Sequence, residues 1–330
     1  MIIVTGGAGF IGSNLIAALN QRGEREVLLV DNLRRPEKLP NLLDVEICDY
    51  LPKGEFRNRL KAGGINPAQV RAVFHLGACS DTMEQDGAYM MDNNYAYARD
   101  LLAWCLNHRI ACIYASSAAV YGASQTFVEE REYERPLNIY GYSKFLFDQC
   151  VRQLKAPESQ IVGLRYFNVY GPGESHKGRM ASVAWHHYHQ LAQHGHVELF
   201  TGSHGYGEGE QQRDFIYVAD AVAAKLYFLD NPNISGIFNL GTGRAQSFNQ
   251  LALAGVNAWR KVQDQPELDL AAAVAAGYVR YKDFPPGLEA RYQAFTQADI
   301  TRLRASGFDQ PMRDVQAGVG AYFARLDAVG

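Results

Sequence analysis

Met1-Ile2-Ile3-Val4-Thr5-Gly6-Gly7-Ala8-Gly9-Phe10-Ile11-Gly12-Ser13-Asn14-Leu15-Ile16 opens the chain. Its first five residues read as a short buried strand, and Ser13 to Ile16 begin a helical pattern. Between them lie Gly6, Gly7, Gly9 and Gly12. Strand, glycine turn and helix in this order form the context in which such glycines bind a dinucleotide. Without side chains the backbone can approach a pyrophosphate, and the helix N-terminus stabilises its charge. Asp31 closes the next strand, Val27-Leu28-Leu29-Val30, near the roughly 20-residue offset of an acid that contacts a ribose.

Outward from this stretch, strand-like runs at 1–5, 26–31, 44–48, 71–76, 111–116 and 161–166 alternate with helical patterns at 12–22, 54–63, 90–108 and 140–154. The alternation predicts right-handed βαβ units and a parallel sheet covered on both faces. The fold class is therefore α/β: a Rossmann-type doubly wound parallel sheet with a smaller C-terminal substrate-binding domain. The expected boundaries are 1–166 for the dinucleotide-binding domain, with return segments near 214–241, and 167–330 for most of the substrate domain. In the second half, 214–230 reads as a strand end and helix, 236–241 as a strand and 267–277 as an Ala-rich helix. Gly202, Gly205, Gly207 and Gly209 predict a mobile loop.

Composition narrows the class. The 330 residues are 47% hydrophobic and 20% charged, enough apolar material for a sizeable core. A net charge of -3 gives no support for a nucleic-acid partner. No apolar run reaches the roughly 18 residues of a membrane span. No signal sequence precedes the first strand, so a soluble, cytoplasmic protein is expected. Cys48, Cys79, Cys105, Cys112 and Cys150 show no metal or redox spacing and read as free buried thiols. His186, His187 and His189 lack partners for a convincing metal set, so no metal is expected.

Chemistry gathers in two stretches. Tyr140-Gly141-Tyr142-Ser143-Lys144 puts a phenol and an ammonium four residues apart, on one face of a helix. Bringing a phenol into the neutral range takes about 4 kcal/mol. One cation about 4 Å away at an effective dielectric of about 20 supplies that much. Tyr140 is thus a candidate general acid/base. Ser116 and Ser117 follow the strand at 111–116, at the sheet edge where ligands sit. A hydroxyl there either bonds a reacting oxygen or caps a turn.

With these stretches in view, the chain resembles the extended short-chain dehydrogenase/reductase superfamily over nearly its whole length. The residues carrying the resemblance are Thr5–Gly12, Ser117, Tyr140, Lys144, Arg165–Pro172 and Arg213–Asp220. It implies enzymes of nucleotide sugars, with Lys144 also holding the nicotinamide ribose, Asn168 at the substrate and Arg213 at its diphosphate. A guanidinium suits bidentate phosphate contact, although Arg213 could instead pair with Asp214 or Asp220.

Further stretches are similar to the ADP-L-glycero-D-manno-heptose 6-epimerase family: His75–Ser80, Tyr89–Tyr95, His176-Lys177-Gly178 and Ala290–Asp299. This resemblance implies an isomerase of lipopolysaccharide inner-core biosynthesis. The enzyme would invert carbon 6 of ADP-D-glycero-D-manno-heptose through transient oxidation, and assemble as a homo-oligomer, a pentamer in the family. Lys177 would be a second acid/base. It implies NADP, one per subunit, held by Phe10, Ile11, Asp31, Asn32, Lys38, Lys53, Leu76, Gly77, Ala78, Asn93, Lys144, Val169 and Lys177. Phe200, Thr201, Gly202, Ser203, His186 and Tyr292 would line the substrate site. Arg179 stands at a substrate contact where close relatives carry serine, and the segment between Ser203 and Arg213 is longer than usual. NAD is the alternative cofactor, because Asp31 suits a free ribose hydroxyl whereas Arg34, Arg35 and Lys38 could neutralise a 2′-phosphate. A UDP-hexose 4-epimerase, which needs no Lys177, and a non-catalytic cofactor sensor are the competing functions.

Overall fold

The computed structural model describes residues 1–287, 289 and 292–328. In chain order the strands are β1 (Ile2–Thr5), β2 (Val27–Asp31), β3 (Asp49–Pro52), β4 (Ala72–His75), β5 (Ala111–Ser117), β6 (Ile161–Tyr166), β7 (Asn168–Tyr170), β8 (Val197–Phe200), β9 (Gln212–Arg213), β10 (Phe215–Tyr217), β11 (Gly236–Leu240), β12 (Gln246–Ser247) and β13 (Val279–Lys282). The helices are α1 (Phe10–Gln21), α2 (Lys53–Lys61), α3 (Gly87–Met90), α4 (Tyr97–His108), α5 (Ile139–Arg152), α6 (Val183–His194), α7 (Val218–Asp230), α8 (Phe248–Val262), α9 (Leu270–Ala275), α10 (Thr301–Ala305) and α11 (Val315–Asp327).

The chain divides into two compact units. The first comprises Met1–Tyr166, Val222–Leu240 and Thr301–Phe308. Its seven-stranded sheet has the order β3-β2-β1-β4-β5-β6-β11. Every pairing in it is parallel. β1, β2, β4 and β6 are buried along their whole length, as expected of strands covered on both faces. The order reverses between β1 and β4. At such a switch point the loops leaving the strands diverge and leave a crevice. Ile3, Leu28, Val73, Cys112 and Ile161 from the sheet join Phe56 of α2 and Leu101 of α4 in one apolar core.

The second unit comprises Phe167–Ala221, Gly241–Ile300 and the chain from Asp309 onward. It holds three two-stranded pairings: β7 with β10 and β8 with β13, both parallel, and β9 with β12, antiparallel. α8 packs against α11 and α6. Ser247 and Gln250 close a reciprocal capping box at the start of α8.

Several expectations shift. The strand expected at 44–48 lies at Asp49–Pro52. Val45 and Ile47 alternate like a strand, but Ile47 is exposed, and it is Leu51 that reaches the core. Cys48 is exposed rather than buried, because its segment runs along the sheet margin. All five cysteines are free thiols. The helix expected at 267–277 is confined to Leu270–Ala275. Glycines 202–209 form turns tied by Ser203–Tyr206 bridging and by the Gly209 N–H donating to Phe200 O at 3.0 Å. Among the described residues no helix is long and apolar enough to cross a membrane.

Candidate active site

In the first unit the glycine turn is shaped by close backbone approach. Gly6 has φ of +71°, and a Cβ there would lie 2.6 Å from Gly77 N, so the turns after β1 and β4 touch through bare backbone. A Cβ on Gly12 would strike the Gly6 carbonyl. Thr5 Oγ1 accepts the Gly77 N–H at 3.2 Å and bonds His75 Nδ1 at 2.7 Å. No side chain caps the first turn of α1, and no acid lies in it. A helix end of this kind favours an anion through its dipole. Phe10 and Ile11 form that first turn.

Asp31 ends β2 beside this turn. Its Oδ2 accepts the Ala8 N–H at 3.0 Å, and its Oδ1 accepts Asn32 N–H at 2.6 Å and Lys38 Nζ at 2.7 Å. Lys38 is therefore drawn onto Asp31 rather than solvated. Lys53 Nζ donates to Asn93 Oδ1. Burial, with the Arg34 charge assisting, pulls the Lys53 ammonium below its usual pKa. The cradle, the uncapped helix end and the Asp31–Lys38 and Lys53–Asn93 pairs fit a nicotinamide dinucleotide.

Ser117 ends β5, and Tyr140 lies in the first turn of α5. A Cβ on Gly141 would lie 2.7 Å from Ala119 O, so this helix docks tightly on the turn after Ser117. Ser117 Oγ accepts the Ala119 N–H at 3.1 Å. Asn138 caps the helix through Gly141 N–H at 2.8 Å. Lys144 is buried and donates to Ala115 O at 2.7 Å. Burial lowers its pKa to about 8, against the opposing pull of Asp148. The direction expected for Tyr140 is reversed. Burial raises the phenol's pKa, hydrogen bonding with Ser117 draws it down, and Cys79 raises it. The Lys144 charge acts instead on His75, which burial first and that charge second hold neutral, with a pKa of about 3. Ser117 and Tyr140 are brought into hydrogen-bonding contact, with Lys144 one turn further along α5 and bonded to the Ala115 carbonyl of β5; the acidified phenol is not a property of these residues alone.

One residue of this region escaped the sequence reading. Asn94 lies in a π-helical segment, Met91–Ala96, between α3 and α4. Its amide spans the Cys79 backbone, accepting from Cys79 N at 2.8 Å and donating to Cys79 O at 2.9 Å. It also donates to Ser143 Oγ at 3.2 Å and accepts from Asn93 Nδ2 at 2.9 Å. The Leu76–Ala78 turn is thereby tied to α5 and, through Asn93, to Lys53. Paired asparagines inside a helical pattern, where asparagine is a poor helix former, were the available signal.

In the second unit Asn168 and Val169 lie on β7, with Asn168 N–H donating to Asp214 O at 3.0 Å. Arg213 is buried, stacked 5.2 Å from the Tyr292 ring centre and 5.6 Å from that of Phe248. Asp214 is satisfied by the Thr242, Gly243 and Ala298 backbone N–H groups, and Asp220 pairs with Arg313. Burial lowers the Arg213 pKa, and the groups opposing it are Tyr292 and Tyr206 rather than a carboxylate. A buried cation balanced this way suits an anionic ligand. Phe200 lies 5.9 Å from Tyr292, and Gln211 joins Thr201 O to Ser203 Oγ. Phe284, which the sequence did not single out, stacks 4.4 Å from Phe200. Arg213, Phe200 and Tyr292 thus form one group, beside which Gly202 has no room for a Cβ (2.6 Å from Tyr206 O). His186 sits on α6, edge-on to Trp185. Lys177 and Arg179 share the 3₁₀ segment Ser175–Met180, where Arg179 is exposed. Burial lowers the Lys177 pKa, and Glu174 opposes the fall. Ala290 and Arg291 of the 290–299 stretch lie outside the described residues. Among the described residues no cluster of His, Cys, Asp or Glu is arranged to hold a metal.

Solved structures share this architecture. ADP-L-glycero-D-manno-heptose-6-epimerase of Helicobacter pylori matches with a TM-score of 0.78 and 28% identity, covering 99% of this chain and 96% of that one. UDP-N-acetylglucosamine 4-epimerase of Methanobrevibacter ruminantium, in complex with UDP-N-acetylmuramic acid, matches with a TM-score of 0.79 and 24% identity, covering 100% and 98%. UDP-glucose 4-epimerase of Thermus thermophilus, in complex with NAD, matches with a TM-score of 0.73 and 24% identity, covering 100% and 99%. Residues 2–241 match the NAD dependent epimerase/dehydratase family, so the match spans the whole glycine turn, the Ser117–Tyr140–Lys144 group and Arg213, and the chain belongs to that family.

Proposed function

We propose that the protein inverts carbon 6 of ADP-D-glycero-D-manno-heptose, using bound NADP, and so supplies heptose for a lipopolysaccharide inner core. The observation that carries the redox reading is the grouping of Ser117, Tyr140 and buried Lys144 in the unit that holds the glycine turn. The heptose reading rests on the Helicobacter pylori relative and on Lys177, whose depressed basicity suits a second proton-handling group.

The C6–H of a secondary alcohol is not acidic, so simple deprotonation cannot invert it. Bound nicotinamide supplies a hydride acceptor and donor. Tyr140 takes the hydroxyl proton as the carbon becomes a ketone and returns a proton when the alcohol re-forms, with Ser117 hydrogen-bonding the same oxygen. In the two epimers the hydroxyl points differently, and Lys177 serves the orientation that Tyr140 does not. Lys144 holds the nicotinamide ribose, and the positive charge of the oxidised nicotinamide would stabilise the phenolate. Gly6, Gly9, Gly12, Phe10 and Ile11 receive the pyrophosphate; Asp31 and Asn32 receive the adenosine ribose, and Lys38, with Lys53 at the same adenosine end, the 2′-phosphate. Leu76, Gly77, Ala78, Asn93 and Val169 complete that site. Arg213 takes the substrate diphosphate, while Phe200, Thr201, Gly202, Ser203, Tyr292, Asn168, His186 and Arg179 surround the rest of the substrate.

The test mixes the purified protein with ADP-D-glycero-D-manno-heptose and follows the C6 proton by NMR, while mass spectrometry identifies the co-purified nucleotide. Appearance of the L-glycero epimer with NADP is expected. Inversion of a UDP-hexose in its place, with the heptose untouched, would transfer the assignment to a 4-epimerase.

A further inference from the structure

Glu174 is fully buried, and nothing in the glycine turn or the catalytic helix accounts for it. Its Oε2 accepts the Ser182 N–H at 2.6 Å, and its Oε1 accepts the Ser182 hydroxyl at 2.6 Å and the Gly171 N–H at 3.4 Å. Its backbone carbonyl accepts the Lys177 N–H at 2.9 Å. Lys177 Nζ lies 3.9 Å from Oε2. Ser182 in turn caps α6 by accepting the Trp185 N–H at 3.2 Å, one residue before His186. One carboxylate therefore joins three pieces of the second unit: the turn after β7, the Lys177 segment and the first turn of α6.

We propose that Glu174 is a positioning residue for Lys177, fixing its segment against α6 and supplying the negative charge that its ammonium answers. The proposal rests on the reading of Lys177 as an acid/base group. Burial disfavours the ammonium form of this lysine, and the Glu174 carboxylate favours it. The other ionisable groups are arranged around this pair: Tyr322 of α11 faces Glu174, with Tyr217 of β10 behind it, and His176 and Arg179 flank Lys177 on its own segment. Tyr322 is held protonated by burial and by the Glu174 charge, so its phenol does not replace that charge.

The test needs no sugar substrate, so it stands apart from the heptose assay. In the protein as purified with its nucleotide, the acetylation rate of Lys177 is followed against pH by peptide mass spectrometry. Glu174→Gln should move its midpoint down by about one pH unit or more, the Coulomb effect of a neighbouring charge after partial solvent screening. Glu174→Asp, which keeps the charge, should restore most of it. An unchanged midpoint in a natively melting Glu174→Gln variant overturns the proposal. Should that variant not fold, protein carrying ¹³C-carboxyl glutamate decides. The Glu174 signal, recognised by its absence from Glu174→Asp, should step at the Lys177 midpoint and lose that step in Lys177→Met. A Glu174 signal indifferent to Lys177 refutes the pairing.

Discussion

Tyr140 shows what a side chain's neighbours can and cannot do. Its phenol is disfavoured as an anion by burial, and Ser117 offsets only part of that. A positive group must act on it during turnover, and Lys144, already depressed to about 8, holds its charge weakly. Tyr140→Phe should reduce kcat by about 10²–10⁴ while leaving nucleotide content unchanged, measured by turnover and by absorbance of the released cofactor. Lys53 has a more local role. Lys53→Met should weaken NADP binding by about tenfold, the loss of one charge-assisted contact, and NAD binding less, as read by calorimetry. Spacing made Tyr140 and Lys144 legible, since four residues on a helix define one face. It could not show which neighbour Lys144 would engage, because that depends on the Ala115 carbonyl, a strand away.

At the scale of elements, the alternation of apolar runs was enough to find most of the parallel sheet. It failed at β3, where edge position leaves only Leu51 to bury and pattern gives no register. It also failed at Asn94, whose value lies in a π-helical register that reorients successive side chains; no periodicity of 3.6 contains it. The docking of α5 on the Ser117 turn was equally hidden, as Gly141 looks like an ordinary helix-weakening residue. Gly141→Ala puts a methyl 2.7 Å from the Ala119 carbonyl. It should lower stability by about 1–3 kcal/mol in urea unfolding, although alanine favours helix.

Across the whole molecule, two buried imidazoles make the fold sensitive to acid. His75 in the first unit and His187 in the second are both held neutral by burial, each with a pKa of about 3 against an ordinary 6.5. The unfolded chain takes up protons below about 6.5 that the folded chain refuses. Stability is therefore full above that pH and declines as the solution is acidified toward 3. Between pH 7 and pH 5 each ring should remove about 2 kcal/mol. His187→Phe should flatten that dependence in guanidinium unfolding at the two pH values; a slope unaltered by the substitution would show that the ring is protonated in the fold. The first unit also depends on sequence far from its motifs. β6 carries Arg165, fully buried between Asp148 and Glu134, and β11 covers the other side of that strand. β11 belongs to residues 236–240, some seventy positions after β6. During synthesis the ribosome must therefore deliver much of the second unit before the sheet of the first can be closed. In that interval β6 is a bare, apolar edge, the kind of surface on which nascent chains aggregate and which chaperones shield.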